Sequence, residues 1–311
     1  MKAKIALLSV LSIALLTACN PKPEAPPQAQ ATSEAVMPEA VLSLDGENQA
    51  LDLSLPECDA NNCPEIDIER LNSNQPYIDA WIDAEILKLM QQILSIAPNS
   101  ELEQKIASQA QLAASQASPA SEVKAPELTP KTTLEQQLQP YVGSFLYLDQ
   151  ELKDLSANHQ ISVMVKPRIL NNQAPLATVV LNSSSYLGGA HGSSSQQYAN
   201  FDLESKQLIS LKDIVLPKQQ AALEKVAYAV FKQWVLEAKL AENIRDYEQA
   251  WKFHLSDNFY LSQQGLILQY AEYEIGPYVV GLPKLVINYE DLNGILKPEY
   301  LPAPKAAMQN P

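Results

Sequence analysis

The chain has 311 residues, with 22 basic and 36 acidic side chains, and its formal charge at pH 7 is −14. This acidity disfavours a nucleic-acid ligand, because phosphates are bound by clustered Lys and Arg, and it disfavours docking on anionic lipid head groups. It favours attraction of a cationic protein partner, although a soluble acidic protein without such a partner has the same composition. The length allows one large domain or two small ones.

The first 18 residues have the composition of a bacterial signal peptide that ends at a lipid-attachment site. Lys2 and Lys4 precede an apolar run at 5–16, and Leu-Thr-Ala before Cys19 is typical of a lipoprotein cleavage site. The run has about a dozen residues, whereas a bilayer crossing needs about 20. We predict that residues 1–18 are removed and that Cys19 carries fatty acyl chains such as palmitate. The alternative is an ordinary secretory signal with a cysteine near its cleavage site.

Residues 19–45 are rich in Pro, Ala, Gln and Glu without an apolar period, which predicts a disordered tether. Loss of Lys2 and Lys4 leaves 20 basic and 36 acidic residues, so the mature charge is 20 − 36 = −16. In bacterial lipoproteins, Asp after the lipidated cysteine is associated with inner-membrane retention, and Asn20 stands at that position here. For a Gram-negative organism we therefore predict an outer-membrane lipoprotein that faces the periplasm, held through the lipid on Cys19.

Two further cysteines, Cys58 and Cys63, form an even pair in an oxidising compartment and predict a disulfide. Residues 51–70 resemble two strands that meet at this pair, with two asparagines suited to the turn. A metal pair is the alternative, but no second ligand pair with zinc spacing accompanies it, so we predict no metal site.

A first amphipathic helix begins at Pro76 and ends near Pro98. Residues 99–133 are then low in complexity, with Ala, Ser, Gln and several prolines, and predict a flexible insertion that is partly helical at 101–116. The apolar positions of the helix recur every three or four residues and predict a core face: Ile78, Ile82, Ile86, Leu89, Ile93 and Ile96.

From Tyr141 the sequence takes on the character of strands that form an antiparallel meander. Pro217 then begins a second long helix with one apolar face. The predicted strands lie at 159–170, 176–187 and 196–203 before this helix, and at 258–261, 266–270 and 285–289 after it.

The predicted fold class is α+β, with antiparallel sheets, a hairpin and a meander, packed by two long amphipathic helices. We divide the chain into an N-terminal α+β module at 46–198 with the flexible insertion at about 99–133 and a C-terminal domain at 199–301. A tail at 302–311 follows.

Two unusual strings are candidates for recognition. The first is a glycine turn at 188–192 that contains His191, and the second is a loop at 270–278 that combines tyrosines with acids. Glycine permits close backbone approach, and Tyr gives a large contact area with little loss of conformational entropy. A structural turn and a structural loop account for the same residues. The candidate partner-binding residues are Gly188, Gly189, His191, Tyr273, Glu274 and Tyr278.

Catalytic chemistry has little support from these strings. His159, His191 and His254 have no partner at metal-ligand spacing, and Ser193–Ser195 do not form a Gly-x-Ser-x-Gly nucleophile elbow. The remaining catalytic hypothesis is a hydrolase of peptidoglycan or other glycans that uses His191 with Asp202, Glu272 or Glu274 as acids.

The same strings resemble the RsiV-like family, named after the extracytoplasmic part of a membrane anti-sigma factor. The resemblance covers roughly 140–300 and implies a shared fold. Cys63-Pro64 and the helix after it resemble the N-terminal module that often precedes this domain. The matching elements are Gly188-Gly189-Ala190-His191, Asn200-Phe201-Asp202-Leu203, Ser210-Leu211-Lys212-Asp213-Ile214, Asn258-Phe259-Tyr260, Gly265-Leu266 and Tyr273-Glu274-Ile275-Gly276-Pro277-Tyr278.

For function, the resemblance implies recognition at the cell envelope. The namesake binds lysozyme and restrains a sigma factor through a cytoplasmic part, but here a lipid anchor replaces the transmembrane helix. Related chains carry deacetylase domains, whose His-x-x-x-His zinc pair this sequence lacks. We predict a non-enzymatic envelope lipoprotein, without a cofactor, that binds a periplasmic or extracellular partner. A cationic lysozyme-like hydrolase or a cell-wall component is the candidate partner, and the glycan hydrolase is the alternative.

Overall fold

Two sheets and three long helices make up the part of the chain that the structure describes. The structure is a computed structural model that describes residues 42–58, 62–94, 128–155 and 160–302. The strands are β1 Gly46–Ala50, β2 Glu65–Ser73, β3 Ser162–Asn171, β4 Ala177–Tyr186, β5 Ser193–Asp202, β6 Gln207–Leu208, β7 Phe259–Leu261, β8 Gly265–Gln269 and β9 Lys284–Asn288. The helices are α1 Pro76–Ile93, α2 Pro130–Asp154, α3 Leu211–Ile214, α4 Gln220–Glu237 and α5 Ile244–Tyr247. Three short 3-10 helices lie at Tyr278–Val280, Tyr289–Leu292 and Pro298–Tyr300.

The larger sheet has six strands in the order β1 to β6, and the smaller sheet has the order β7-β8-β9. The α+β class is confirmed, and β3, β4 and β5 form the antiparallel meander. The sheet is not purely antiparallel, however, because β2 and β3 pair in parallel. Parallel neighbours need a long crossover, and here α1 and α2 lie in the connection between them.

The first hairpin lies earlier in the chain than the sequence predicts. Strand β1 ends at Ala50 and pairs with the C-terminal half of β2, so residues 51–64 form the connection between the two strands. This connection contains the disulfide between Cys58 and Cys63, whose Cα atoms are 5.8 Å apart. The predicted pairing of these cysteines agrees with the structure, but the bridge lies in a long loop and not at a tight turn.

Helix α2 corrects the prediction of a flexible insertion up to 133 and of strand character from Tyr141. It begins after a cap at Thr129, whose hydroxyl accepts from the Thr132 N–H. The sequence signal for this helix is weak because Pro140 interrupts it and its exposed side is rich in Gln. The fold therefore has a third long helix. Its buried face consists of Leu134, Leu138, Val142 and Phe145, at helical spacing.

Each sheet has its own helical cover and core. Helices α1 and α2 share one buried cluster with strands β2 to β5, and the predicted core residues Ile78, Ile82 and Ile86 are fully buried in it. Helix α4 contributes Leu223, Ala227, Phe231 and Val235 to a second cluster with β7, β8 and β9. Among the described residues, no helix combines the length and the hydropathy that a membrane crossing requires.

Asparagine side chains join the two sheets at β5. The Asn258 amide oxygen accepts from the Tyr198 N–H at 2.8 Å, and its amide nitrogen donates to the Gln196 carbonyl at 2.7 Å. Asn200 donates in turn to the Phe259 carbonyl at 2.8 Å. Strand β5 therefore continues through residue 198, where the sequence predicts a domain boundary. That boundary remains a prediction. Some predictions concern residues that lie outside the described part of the chain, and these also remain predictions: Cys19, the tether up to residue 41, residues 99–127, His159 and residues 303–311.

Candidate functional site

The glycine turn and the tyrosine loop lie together on one surface. The turn connects β4 to β5, and the loop lies between β8 and β9. The Tyr278 hydroxyl donates to the Gly192 carbonyl at 3.1 Å, and the Tyr273 hydroxyl lies 3.2 Å from Nε2 of His191. Two strings about 80 residues apart in the sequence thus form one site.

Four aromatic rings make up what we call the aromatic patch: His191, Trp251, Tyr273 and Tyr278. The His191 and Tyr278 rings stack at 3.9 Å between centroids, with 24° between their planes. Tyr273 lies 5.6 Å from Tyr278 and 6.4 Å from Trp251, again with nearly parallel planes. His191 is exposed and Tyr273 is 50% exposed, so the patch faces solvent. Sequence reasoning missed Trp251, because it lies in an irregular segment without an apolar period.

Tyr273 is held in a strained backbone conformation, with φ at +62°. A bulky side chain in the left-handed region costs roughly 1–3 kcal/mol, and such residues cluster at functional sites. A short turn supports this conformation, because the Ala271 N–H donates to the Glu274 carboxylate and the Glu274 N–H donates to the Ala271 carbonyl. The structure therefore over-determines the position of an exposed ring in the patch.

This strain gives a test on stability. We expect Tyr273→Gly to be more stable than Tyr273→Ala by about 1–2 kcal/mol, because both remove the ring but only glycine adopts positive φ without strain. Chemical denaturation of the two variants measures the difference. At Val279, where φ is not positive, the matched Gly and Ala variants should have the opposite order. Equal stability of the two Tyr273 variants would contradict a strained backbone.

Two carboxylates fix the loop: Glu272 binds the start of β5 directly after the glycine turn, and Glu274 binds His254 and the loop's own backbone. Glu272 accepts from the Ser193 hydroxyl at 3.1 Å and from the Ser194 N–H at 3.0 Å. Glu274 lies 2.6 Å from Nε2 of His254 through one oxygen, and its other oxygen accepts from the Ala271 N–H. Glu274, a predicted partner-binding residue, thus positions the loop within the protein, and His254 joins the site through it.

Gly188 and Gly189 shape the turn, and neither takes part in the contacts between the aromatic rings that are given above. Gly188 has φ at +86°, and a Cβ there would lie 2.8 Å from Cδ1 of Leu152 on α2. The Gly189 carbonyl accepts from the Tyr186 hydroxyl at 3.0 Å. Two apolar side chains are strongly exposed near the turn and the loop. Val279, directly after the tyrosine loop, is 86% exposed, and Leu155, directly after α2, is 77% exposed.

The aromatic patch lies at the end of the larger sheet opposite the first described residues. The Leu44 N–H donates to the carbonyl of Asn172, in the turn between β3 and β4. Strand β4 runs from that turn to the glycine turn over 10 residues, or about 30 Å at 3.3 Å per residue. Asp202, one of the acids in the hydrolase hypothesis, ends β5 near the first described residues and so lies far from His191. The structure places it outside the site.

No three His, Cys, Asp or Glu side chains in the described ranges cluster closely enough to hold a metal ion. Two cavities, of about 430 and 350 Å³, lie at the turn between β3 and β4 and not at the aromatic patch. The chemistry of the patch is that of partly exposed ring faces beside the exposed apolar side chain of Val279.

Comparison with known proteins identifies a domain without an assigned function. Residues 212–290 match the model of a family described as protein of unknown function (DUF3298). A crystal structure of a DUF3298 family protein from Pseudomonas aeruginosa PAO1 is similar to this chain, with a TM-score of 0.55 and 22% identity, over 86% of this chain and 99% of that one. A member of the same family from Bacteroides fragilis NCTC 9343 has a TM-score of 0.47 and 17% identity, over 83% and 94%. No curated protein matches the sequence.

Residues 212–290, which match this family model, lie within the range predicted as the C-terminal domain. The likeness to the Pseudomonas structure concerns the fold alone. The resemblance to the RsiV-like family and the assignment of an N-terminal module remain predictions.

Proposed function

We propose that this chain is a non-enzymatic lipoprotein of the bacterial cell envelope that binds a protein partner through the aromatic patch. The observation that carries the proposal is the convergence of the glycine turn and the tyrosine loop in four nearly parallel rings, of which His191 and Tyr273 are exposed and Trp251 and Tyr278 are partly buried. The strained Tyr273 at its centre supports a functional role for that convergence.

The hydrogen bonds around the patch support binding over catalysis. The hydroxyls of Tyr273 and Tyr278 and the carboxylates of Glu272 and Glu274 are already bonded within the protein. What remains for a partner is the ring faces and the exposed Val279. Rigid aromatic residues beside apolar ones are the usual centre of a protein-binding surface, because little entropy is lost when they are covered.

Charge supports a cationic partner. With Cys19 lipidated, the mature charge of −16 would attract a basic protein and make the association rate sensitive to salt. A lysozyme-like hydrolase is our specific candidate, because it is basic and acts in the envelope.

Calorimetric titration with a c-type lysozyme, at low and at physiological salt, tests this candidate. We expect binding at both, with lower affinity at the higher salt because the surface charges are screened. Absence of binding at both salt concentrations would remove lysozyme as the partner.

Truncation of Tyr278, the ring that stacks on both His191 and Tyr273, should abolish most of this affinity. We expect Tyr278→Ala to raise the dissociation constant about 30-fold, corresponding to about 2 kcal/mol for a central aromatic anchor. The control is Leu208→Ala, which removes an exposed apolar side chain on β6, paired with the far end of β5. Equal losses in the two variants would show that the interface lies elsewhere.

The hydrolase alternative has a direct assay of its own. Purified peptidoglycan incubated with the protein should release no soluble glycan under our proposal. The acids Glu272 and Glu274 hold the loop, and Asp202 lies at the other end of β5. Release that disappears in His191→Ala would instead establish catalysis at this site.

A further inference from the structure

An open groove of about 430 Å³ lies at the end of the larger sheet opposite the aromatic patch. Three tyrosines line it, and they come from three separate segments: β7, the 3-10 helix after β9 and the last 3-10 helix. Two prolines and one acid complete the set that we call the tyrosine groove: Tyr260, Tyr289, Tyr300, Pro175, Pro302 and Glu299.

The groove is preformed, because two of its rings are held by contacts within the protein and all three are partly buried. Tyr260 stacks on Tyr198 at 4.3 Å between centroids, with 21° between their planes. The Tyr289 hydroxyl donates to the Ser262 carbonyl at 2.9 Å. All three tyrosines are half-buried, so their positions are set before a ligand arrives. A preformed site loses little conformational entropy on binding.

Polar groups that could meet a ligand remain in the groove. Within the described ranges, the Tyr300 hydroxyl and the Gln263 side chain make no hydrogen bond, and Glu299 makes no ion pair. Burial raises the pKa of Tyr300, and the nearby charges of Glu299, Asp202 and Asp213 raise it further. Hydrogen bonds from Ser210 lower the pKa of Asp213, and the nearby charge of Lys297 lowers it further. Three carboxylates thus lie close enough to act on the Tyr300 hydroxyl.

From this geometry we infer that the tyrosine groove binds a proline-rich segment of a partner protein, with a basic residue of that segment near Glu299. A polyproline II helix has no internal hydrogen bonds, so its carbonyls can accept from the Tyr300 hydroxyl and the Gln263 amide. Its proline rings pack between aromatic rings, and its stiffness reduces the entropy lost on binding. The carboxylate of Glu299 favours Lys or Arg next to the prolines.

The experiment uses the chain from residue 19 with Cys19→Ser, so that it is soluble without lipid. The probe is a synthetic peptide of repeated Pro-Pro-Lys triplets, titrated by calorimetry. Repeated Pro-Pro-Gln triplets remove the charge, and repeated Gly-Gly-Lys triplets remove the stiff backbone. We expect the Pro-Pro-Lys peptide to bind more tightly than either control.

Variants then locate the site. Tyr300→Ala should weaken binding of the Pro-Pro-Lys peptide at least about 10-fold, as expected for an aromatic anchor. Glu299→Gln changes only an exposed side chain and should reduce affinity for the Pro-Pro-Lys peptide but not for the Pro-Pro-Gln peptide. Tyr147→Ala removes an exposed tyrosine on α2, outside the groove, and should change neither affinity.

Three results would overturn the inference. Equal binding of the Pro-Pro-Lys and Gly-Gly-Lys peptides would show attraction by charge alone. Absence of peptide binding would reject the ligand class, and binding of chitooligosaccharide that Tyr300→Ala abolishes would assign the groove to glycans. The groove and the aromatic patch lie at opposite ends of the sheet, so either can fail without affecting the other.

Discussion

Replacement of Arg70 by Met should lower the free energy of unfolding by about 3–5 kcal/mol, the range for removal of one partner from a buried ion pair. Arg70 is 3% exposed, in β2, and its Nε lies 3.1 Å from one oxygen of Asp83 on α1. Its Nη2 lies 2.8 Å from the other oxygen. The variant leaves the Asp83 carboxylate, whose side chain is only 16% exposed, without its cation, and chemical denaturation at pH 7 measures the loss.

The loss should become smaller in acid. Burial raises the pKa of Asp83, while Arg70 acts in the opposite direction, and the balance is a raised pKa. The pKa of Asp83 is higher in the folded protein than in the unfolded chain. Its contribution to the free energy of unfolding is therefore fully present below the pKa of the unfolded chain and is lost as pH rises through the pKa of the folded protein. Without Arg70 the pKa rises further, so the variant keeps Asp83 protonated to higher pH. We expect the difference from wild type to narrow between pH 7 and pH 4.

Two controls separate the buried charge from general damage. The double variant Arg70→Met with Asp83→Leu removes both charges and should recover most of the stability, since apolar replacement of a buried pair is often neutral. Lys88→Met breaks a pair with Glu85 in which the lysine side chain is 57% exposed, and it should cost less than about 1 kcal/mol. An Arg70→Met loss no larger than that of Lys88→Met would contradict a buried pair.

The sequence predicted those elements whose signal is local. Helices α1 and α4 have apolar residues at helical spacing after an early proline. Strands β3 and β4 have β-branched residues between turn residues, and β5 has the aromatic residues Tyr198 and Phe201. Helix α2 was missed because Pro140 breaks its pattern. The parallel pairing of β2 with β3 joins residues almost 100 positions apart, and no local pattern specifies such a partner.

The candidate site was predicted in its parts but not as a whole. The unusual composition of the glycine turn and the tyrosine loop identified His191, Tyr273 and Tyr278, because glycines and clustered tyrosines are visible in the sequence. Their contact depends on how β5 meets the smaller sheet, through the side chain of Asn258. The stacking of Trp251 on Tyr273 depends on tertiary structure as well, whereas the positive φ of Tyr273 belongs to the short turn between Ala271 and Glu274.

The role of Gly265 also depends on a tertiary contact that the local sequence does not reveal. Its replacement gives the second large change in stability that we expect. It is the first residue of β8, and a Cβ on it would lie 1.9 Å from the Ile287 carbonyl oxygen of β9. A backbone oxygen in a paired strand cannot move away as a side chain can, so alanine must displace β8 from β9. The smaller sheet forms the second core together with α4, and its packing would change with that displacement.

We therefore expect Gly265→Ala to lower the free energy of unfolding by about 3 kcal/mol or more, at the upper end for overpacked sites. Gly143→Ala is the matched control. Gly143 is exposed within α2, and no atom lies within 4 Å of the position that its Cβ would occupy. Alanine there should raise stability by about 0.5–1 kcal/mol, because it reduces the freedom of the unfolded chain and favours helix. Chemical denaturation should show a lower free energy of unfolding for Gly265→Ala and a higher one for Gly143→Ala. A Gly265→Ala protein as stable as the wild type would contradict the close approach of β8 and β9.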